Sequence, residues 1–275
     1  MYKTDEIKAK VVKQIEKEIS SKRIIIKEIA RADVYGHEAG MPFEEWVKSF
    51  LTRNKWQAFY PNEFIVKYFD CLEKSEETIL KYLDDVWWST LLVTKQQIIN
   101  YLSGKQVNRW QQEGADLILF YGDNLCKDSE KVILINVKSH KISRASRPPN
   151  IMSAQRLLEF FHEIIIKKDY KKTLSKLDLW FLGIYWEASE TGAIIKEAHI
   201  KDLFKLDISK IPQINFDAAI QIQWHVKDMI EKEQTRSEFI MNLAETFINQ
   251  WKHHSTQKQQ KYEKLVSDIR RKLSS

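Results

Sequence analysis

The chain has 275 residues, 43% of them hydrophobic, with 44 Lys and Arg against 38 Asp and Glu, a net charge of +6 and a pI near 9.0. That length buries about three quarters of the unfolded surface and reads as one domain: a mainly helical section over 1–105, a sheet-bearing core over 106–228 and a helical section over 229–275. No apolar run approaches the ~18 residues of a membrane span, the Lys/Glu-rich N-terminus holds no apolar signal core, and the seven glycines make no phosphate loop or GxGxxG, which argues against P-loop and dinucleotide enzymes.

Residues 3–32 read as a charged helix. Two glycines and Pro42 then punctuate a loop, and Pro42 suits the first turn of a helix through about Asn54. Phe43, Trp46, Val47, Phe50 and Leu51 share one face of it. Residues 62–102 look helical with a break near Cys71–Ser75, and carry no evident chemistry. Cys71 and Cys126 are the two cysteines; neither a metal motif nor a disulfide framework follows from them, and the reducing cytoplasm is the expected compartment.

From Gly114 two apolar runs follow, Leu117–Phe120 and Val132–Val137, separated by a turn with Gly122, Asp123 and Asn124. This is a hairpin signal. Asp116 opens the first strand, and Asn136-Val137-Lys138 closes the second. Between Lys131 and Leu158 there are six Lys or Arg and no acid, so a polyanion is the expected partner. After Pro149, Ile151 to Lys168 reads as an amphipathic helix with Leu157, Leu158, Phe161, Ile164 and Ile165 inward. Asp178–Trp186 is apolar enough for a central strand. Ala193–Lys196 pairs with it through a turn at 189–192, Pro212–Asp217 is a loop, and Ala218–Val226 alternates as a half-buried strand. Thr235-Arg236-Ser237-Glu238 is a capping box that opens the last helix. The expected fold is α/β: a central mixed sheet of about five strands flanked by helices, with a helical N-terminal section and C-terminal helices.

The hairpin resembles the core of the PD-(D/E)xK nucleases, where an acid at one strand start faces an acid-x-Lys on the next. Alternate residues of a strand share a face, so positions 136 and 138 point together and the partner strand brings Asp116 beside them. Two acids there hold Mg2+, which prefers oxygen ligands and keeps several waters. The lysine positions or helps to deprotonate the attacking water. Asn136 stands where the second acid is expected, and offers an oxygen without a charge.

Three longer blocks resemble the HincII-type type II restriction endonucleases. Gly36-His37-Glu38-Ala39-Gly40-x-Pro42-Phe43-Glu44 is similar to that family's GHxAGxPFE. The block from Ala115-Asp116 through Val137-Lys138, Ile142-Ser143 and Pro149-Asn150-Ile151-x-Ser153-Ala154 is the second. Ala218-Ala219-x-Gln221-Ile222-Gln223-x-His225-Val226-x-Asp228 is the third.

The resemblance implies a restriction-endonuclease-like fold and a homodimer that cuts both strands of a short palindromic duplex with Mg2+. The site would be GTYRAC-like or related, cut to blunt ends with 5′-phosphates. A cognate methyltransferase would protect the host without stable binding, and no membrane is involved. Asp116, Asn136 and Lys138 take the catalytic positions, with Asp116, Asn136 and the Val137 carbonyl toward the metal. Lys141, Ser143, Arg144, Arg147, Pro148, Asn150, Ser153 and Asn215 take the DNA-contacting positions. Arg147-Pro148 departs from the family pattern, and Arg bidentate to guanine is the commonest specific base contact, so the site read is expected to differ. Glu44 is either a neighbour of the metal or a solvated helix-start acid. His37 and His225 read as structural histidines. Two other functions stay open: a catalytically inactive sequence-specific DNA-binding protein, which shifts one duplex without cutting, and a structure-directed nuclease, which prefers branched DNA.

Overall fold

The structure is a computed structural model that describes residues 3–29, 40–72, 77, 79, 86–105, 107, 114–142, 148–167, 169–217 and 220–273. Helix α1 (Lys3–Ser21) buries Thr4, Ile7, Val11 and Ile15, a stripe at three- and four-residue spacing. It stops well short of residue 32. Ile24, Ile25 and Ile26 follow, β-branched residues that favour extended backbone, and Ile25–Ile26 forms β1. Helix α2 (Met41–Arg53) has its proline in the first turn and buries the five expected apolar residues. Then come β2 (Gln57–Phe59), α3 (Pro61–Asp70), α4 (Ser89–Leu92) and α5 (Lys95–Leu102). Thr94 and Gln97 make the capping box of α5.

The hairpin is β3 (Leu117–Phe120) and β4 (Val132–Lys141). The rest is β5 (Asn150–Ser153), α6 (Ala154–Ile165), α7 (Tyr170–Leu174), β6 (Leu179–Ser189), β7 (Gly192–Asp202), β8 (Gln213–Asn215), β9 (Gln221–Gln223) and α8 (Arg236–Leu273). Six strands form the main sheet in the order β1-β7-β6-β4-β3-β2, and a second sheet has the order β5-β9-β8. The β4–β6 pair is parallel and its neighbours are antiparallel, so the main sheet is mixed as expected, with six strands rather than about five. No helix among the described residues is long and apolar enough to cross a membrane.

The main sheet is buried on both faces. Leu117, Leu119, Ile133, Ile135, Trp180 and Leu182 pack with the apolar faces of α1 and α2. Ile118, Leu134 and Phe181 point the other way, toward residues of α3, α6, the start of α8 and the second sheet.

Several sequence expectations are corrected. Residues 150–153 are strand, not the start of a helix: they pair with β9, and the Ser153 hydroxyl accepts the Arg156 N–H at 3.3 Å, fixing the helix start at Ala154. In α6, Phe160 is buried and Ile165 is 41% exposed. The expected loop at 212–217 contains β8. The expected strand at 218–226 is three residues long, because Asn215 Oδ1 takes the Asp217 N–H at 3.0 Å in a turn and Ile220 sits at φ 50°. Cys71 and Cys126 are joined as a disulfide, with Cα atoms 5.4 Å apart, where the sequence suggested none.

Candidate active site

The site is built on the open end of the β3–β4 hairpin. Leu117 pairs with Ile135, so one step earlier Asp116 comes opposite Asn136. The Asp116 N–H still donates to the Ile135 carbonyl at 3.0 Å. Its carboxylate then bends back, and Oδ2 accepts the Val137 N–H at 2.7 Å. The side chain thereby satisfies a strand donor beyond the end of β3. The Lys138 ammonium lies 3.8 Å from the same oxygen, a loose ion pair with both groups about one quarter exposed (24% and 21%). An open pair of this kind contributes little to stability, which leaves both groups available for chemistry.

Asn136 is 5% exposed, and its Nδ2 donates a long hydrogen bond, 3.4 Å, to the Gly114 carbonyl. Gly114 has no room for a side chain: a Cβ there would lie 2.3 Å from the Leu91 carbonyl oxygen and 2.8 Å from Leu92 Cδ2. The section that looked free of chemistry therefore braces the approach to Asp116 through α4.

The donors at this corner are oxygens: the Asp116 carboxylate and the Asn136 amide. They suit a hard cation in kind, with one negative charge where a second acid would give two. Among the described residues no three or more His, Cys, Asp or Glu gather as metal ligands, and Glu44 joins no such group. Glu44 lies in the first turn of α2. Its charge is felt at Tyr60, whose hydroxyl is pushed up to about 12 by burial first, then by Glu45, Glu44 and Glu63.

The expected DNA-contacting residues fall into three groups. Ser143, Arg144 and Arg147 lie outside the described residues, as do His37 and most of the first motif block. Asn150 and Asn215 share the second sheet: Asn150 pairs with Gln223, and Asn215 with Gln221. Asn150 is exposed and its Oδ1 accepts the Gln223 Nε2 at 3.0 Å. Pro148 leads into that strand, while Ser153 at its far end is buried with its hydroxyl capping α6. Lys141, at the end of β4, holds its ammonium 5.7 Å from the Trp186 ring centre.

Sequence reading passed over Gly183 and His140. Gly183 is the register partner of Lys138 on β6, and a Cβ there would meet Val226 Cβ at 2.6 Å. His140 follows Lys138 on the same face of β4, and its ring lies 4.4 Å from that of His225. A glycine inside an otherwise apolar strand was the available signal, since it marks close approach of another segment.

A mixed sheet whose hairpin sets an acid against a strand bearing x-Lys resembles the core of the PD-(D/E)xK nucleases, with Asn136 at the second acid's position. The family model of restriction endonuclease HincII matches residues 17–271, and the chain belongs to that family: it is a type II restriction endonuclease, a hydrolase acting on DNA. It is 28% identical over 222 residues to the type II restriction enzyme HindII of Haemophilus influenzae, covering 78% of this chain and 81% of that enzyme. The same figures hold for the type II restriction enzyme HincII of Haemophilus influenzae. Among solved structures, the NlaIV restriction endonuclease aligns over 90% of this chain and 89% of its own, with a TM-score of 0.42 and 14% identity, a likeness too distant to carry the fold.

Proposed function

We propose that the protein hydrolyses phosphodiester bonds in both strands of a short palindromic duplex, with Mg2+, and that Asn136 weakens this step. The observation that carries the reading is the Asp116 carboxylate set against Val137 and 3.8 Å from Lys138 at one strand end. Asp116, the Asn136 amide oxygen and the Val137 main-chain carbonyl would hold the ion. When bound, Mg2+ neutralises charge on the phosphate and lowers the pKa of its water. Lys138 orients the attacking water and offsets charge that builds on the phosphate oxygens. Asp116 keeps Lys138 near by its charge, and its bond to Val137 fixes the carboxylate against rotation. Asn136 supplies an oxygen but no charge, and losing a comparable catalytic group costs ~10²–10⁴-fold in rate. It also removes repulsion toward the scissile phosphate, so DNA binding survives.

The sheet carrying Asn150 and Asn215, together with Lys141, Ser143, Arg144, Arg147 and Pro148, forms the DNA-reading part of this proposal. Phosphate contacts position the duplex and base contacts specify the site. The site is a hexamer of the GTYRAC type or related, cut to blunt ends with 5′-phosphates. Two copies act on the two strands, and a methyltransferase of the same specificity protects the host. The cytoplasm, where the host DNA lies, is the proposed compartment, with the Cys71–Cys126 bond removing reduced cysteines as an argument for it.

The test is digestion of phage and plasmid DNA with Mg2+ by the protein as it stands and by Asn136→Asp. Discrete fragments from Asn136→Asp, with few or none from the protein as it stands, are expected. No cutting by Asn136→Asp at any Mg2+ level would sink the proposal. A second reading, site-specific binding without cleavage, is favoured by one observation: Asn136 is buried and its amide is engaged with Gly114. It requires the same gel shift from both proteins and no cleavage from either.

A further inference from the structure

The chain that leaves the second sheet runs against the catalytic strand. Gln223 of β9 bonds Asn150 of β5, and the next residue, Trp224, donates its N–H to the Pro149 carbonyl at 3.2 Å. The Trp224 side chain is buried, so this edge is firmly seated. One residue further, the His225 ring stands edge-on to His140, with centroids 4.4 Å apart and planes at 77°. His140 is two positions past Lys138 on β4, hence on the same face.

Gly183 makes the contact possible. It lies beside Lys138 in the sheet, and its missing Cβ is where Val226 packs. Tyr185, the register partner of His140, locks the other side: its hydroxyl accepts the Lys227 N–H at 3.0 Å, and its ring is 5.7 Å from His140. His225 Nδ1 is buried without a hydrogen-bond partner among the described residues, so that nitrogen does not fix the ring. Packing against His140 does.

We infer that the His225–His140 contact is the joint through which DNA seated on the Asn150 strand sets the position of Lys138, which makes His225 a positioning residue for cleavage. The inference rests on the nuclease reading above. Close-packed groups transmit a displacement instead of absorbing it. Lys138 has to meet its reacting atoms closely, and a misplacement of about 1 Å costs on the order of 10²-fold in rate. A measured coupling between the two residues tests the joint.

The experiment uses Asn136→Asp as parent, with plasmid DNA to map its cut by sequencing the ends. Two short duplexes follow: one with the mapped site, one with a single base pair of it changed. His225→Ala should slow single-turnover cleavage of the mapped site about 30-fold or more, with affinity within about threefold. The ratio of mapped to altered cleavage should shrink. His225→Phe keeps a ring against His140 and should recover to within about threefold of the parent. His140→Ala removes the same contact from the strand side, so it serves if His225→Ala does not fold. The double Ala variant should be no slower than the slower single, as for two residues acting as a unit.

A structural role alone would slow both duplexes by one factor and lower affinity with rate. That result overturns the joint, as does His225→Ala cutting at the parent rate or multiplying effects in the double variant. A parent that does not cut DNA, whether or not it binds, is a different result: it overturns the nuclease reading, and the joint falls with it.

Discussion

The Asp116 carboxylate accepts the backbone N–H of Val137 at 2.7 Å, across the end of the hairpin. This bond separates two roles of one side chain. As an acceptor it caps a strand donor, and as a charge it serves the proposed reaction. Asp116→Asn keeps an oxygen for Val137 and removes the charge. In the Asn136→Asp protein it should leave the melting temperature nearly unchanged and cut cleavage by ~10²–10⁴-fold, while gel shifts persist. Calorimetry and single-turnover cleavage measure the two separately. An Asp116→Asn protein that cuts at the parent rate would remove Asp116 from the site.

Gly114 lies against the Leu91 carbonyl, with 2.3 Å available to a Cβ. Backbone on both sides cannot give way as a flexible side chain would. Gly114→Ala should therefore destabilise the protein by about 1–3 kcal/mol through forced backbone shifts. Because Gly114 leads directly into Asp116, cleavage by Asn136→Asp should fall with it. Urea unfolding reads the first effect and digestion the second. An Ala variant as stable as the parent would mean that α4 does not brace the hairpin.

How much of this was legible follows the physics of each feature. That Asp116, Asn136 and Lys138 come together at one strand end was readable because a strand repeats every two residues and the turn signal fixed which strands pair; the roles assigned to them came from the resemblance alone. The long strands β4 and β6 and the helix α2 announced themselves by apolar patterning. β5 and β8 did not: four and three residues carry too little periodicity, and the bonds that place them come from distant β9. The His140–His225 contact was hidden for a similar reason, since 85 residues of chain separate its partners. No spacing rule links Cys71 to Cys126 either, because that contact exists only once α3 docks beside the β3–β4 loop.

The Cys71–Cys126 bond ties the end of α3 to that loop and closes a ring over a sequence separation of 55. Constraining a loop of this size in the unfolded chain stabilises the fold by up to about 4 kcal/mol in the chain-entropy account. Thiol titration in denaturant should find no free thiol before reduction and two after it. Cys71→Ser should lower the melting temperature of the oxidised protein, and reduction should lower it to a similar value. Two free thiols without reductant would place the protein in its dithiol form and remove the bond from its stability.

Asp178, just before β6, is buried at 4% exposure, and its carboxylate meets the Arg236 guanidinium at 3.2 Å where α8 begins. Burial pushes its carboxyl up to about 8, Arg236 pulls down, and nearby Asp202 pushes up again. Asp202, buried at the end of β7, is raised too, by burial first. We hold the upward direction, because Arg236 divides its donors between Asp178 and the Ser175 and Leu177 carbonyls.

The folded protein then keeps the Asp178 proton to about pH 8, while the unfolded chain releases it near pH ~4. Unfolding between those values gives up a proton, so rising pH favours it. This contribution to stability is complete below about pH 4 and lost as the pH climbs through about 8. Asp178→Asn is neutral throughout. It should melt about 3–6 °C above the parent protein at pH ~8.5, with the gap closing toward pH ~4. Thermal melts across that range measure it. Parallel pH profiles for the two proteins would mean that Asp178 is ionised in the fold and that its bond to Arg236 outweighs burial.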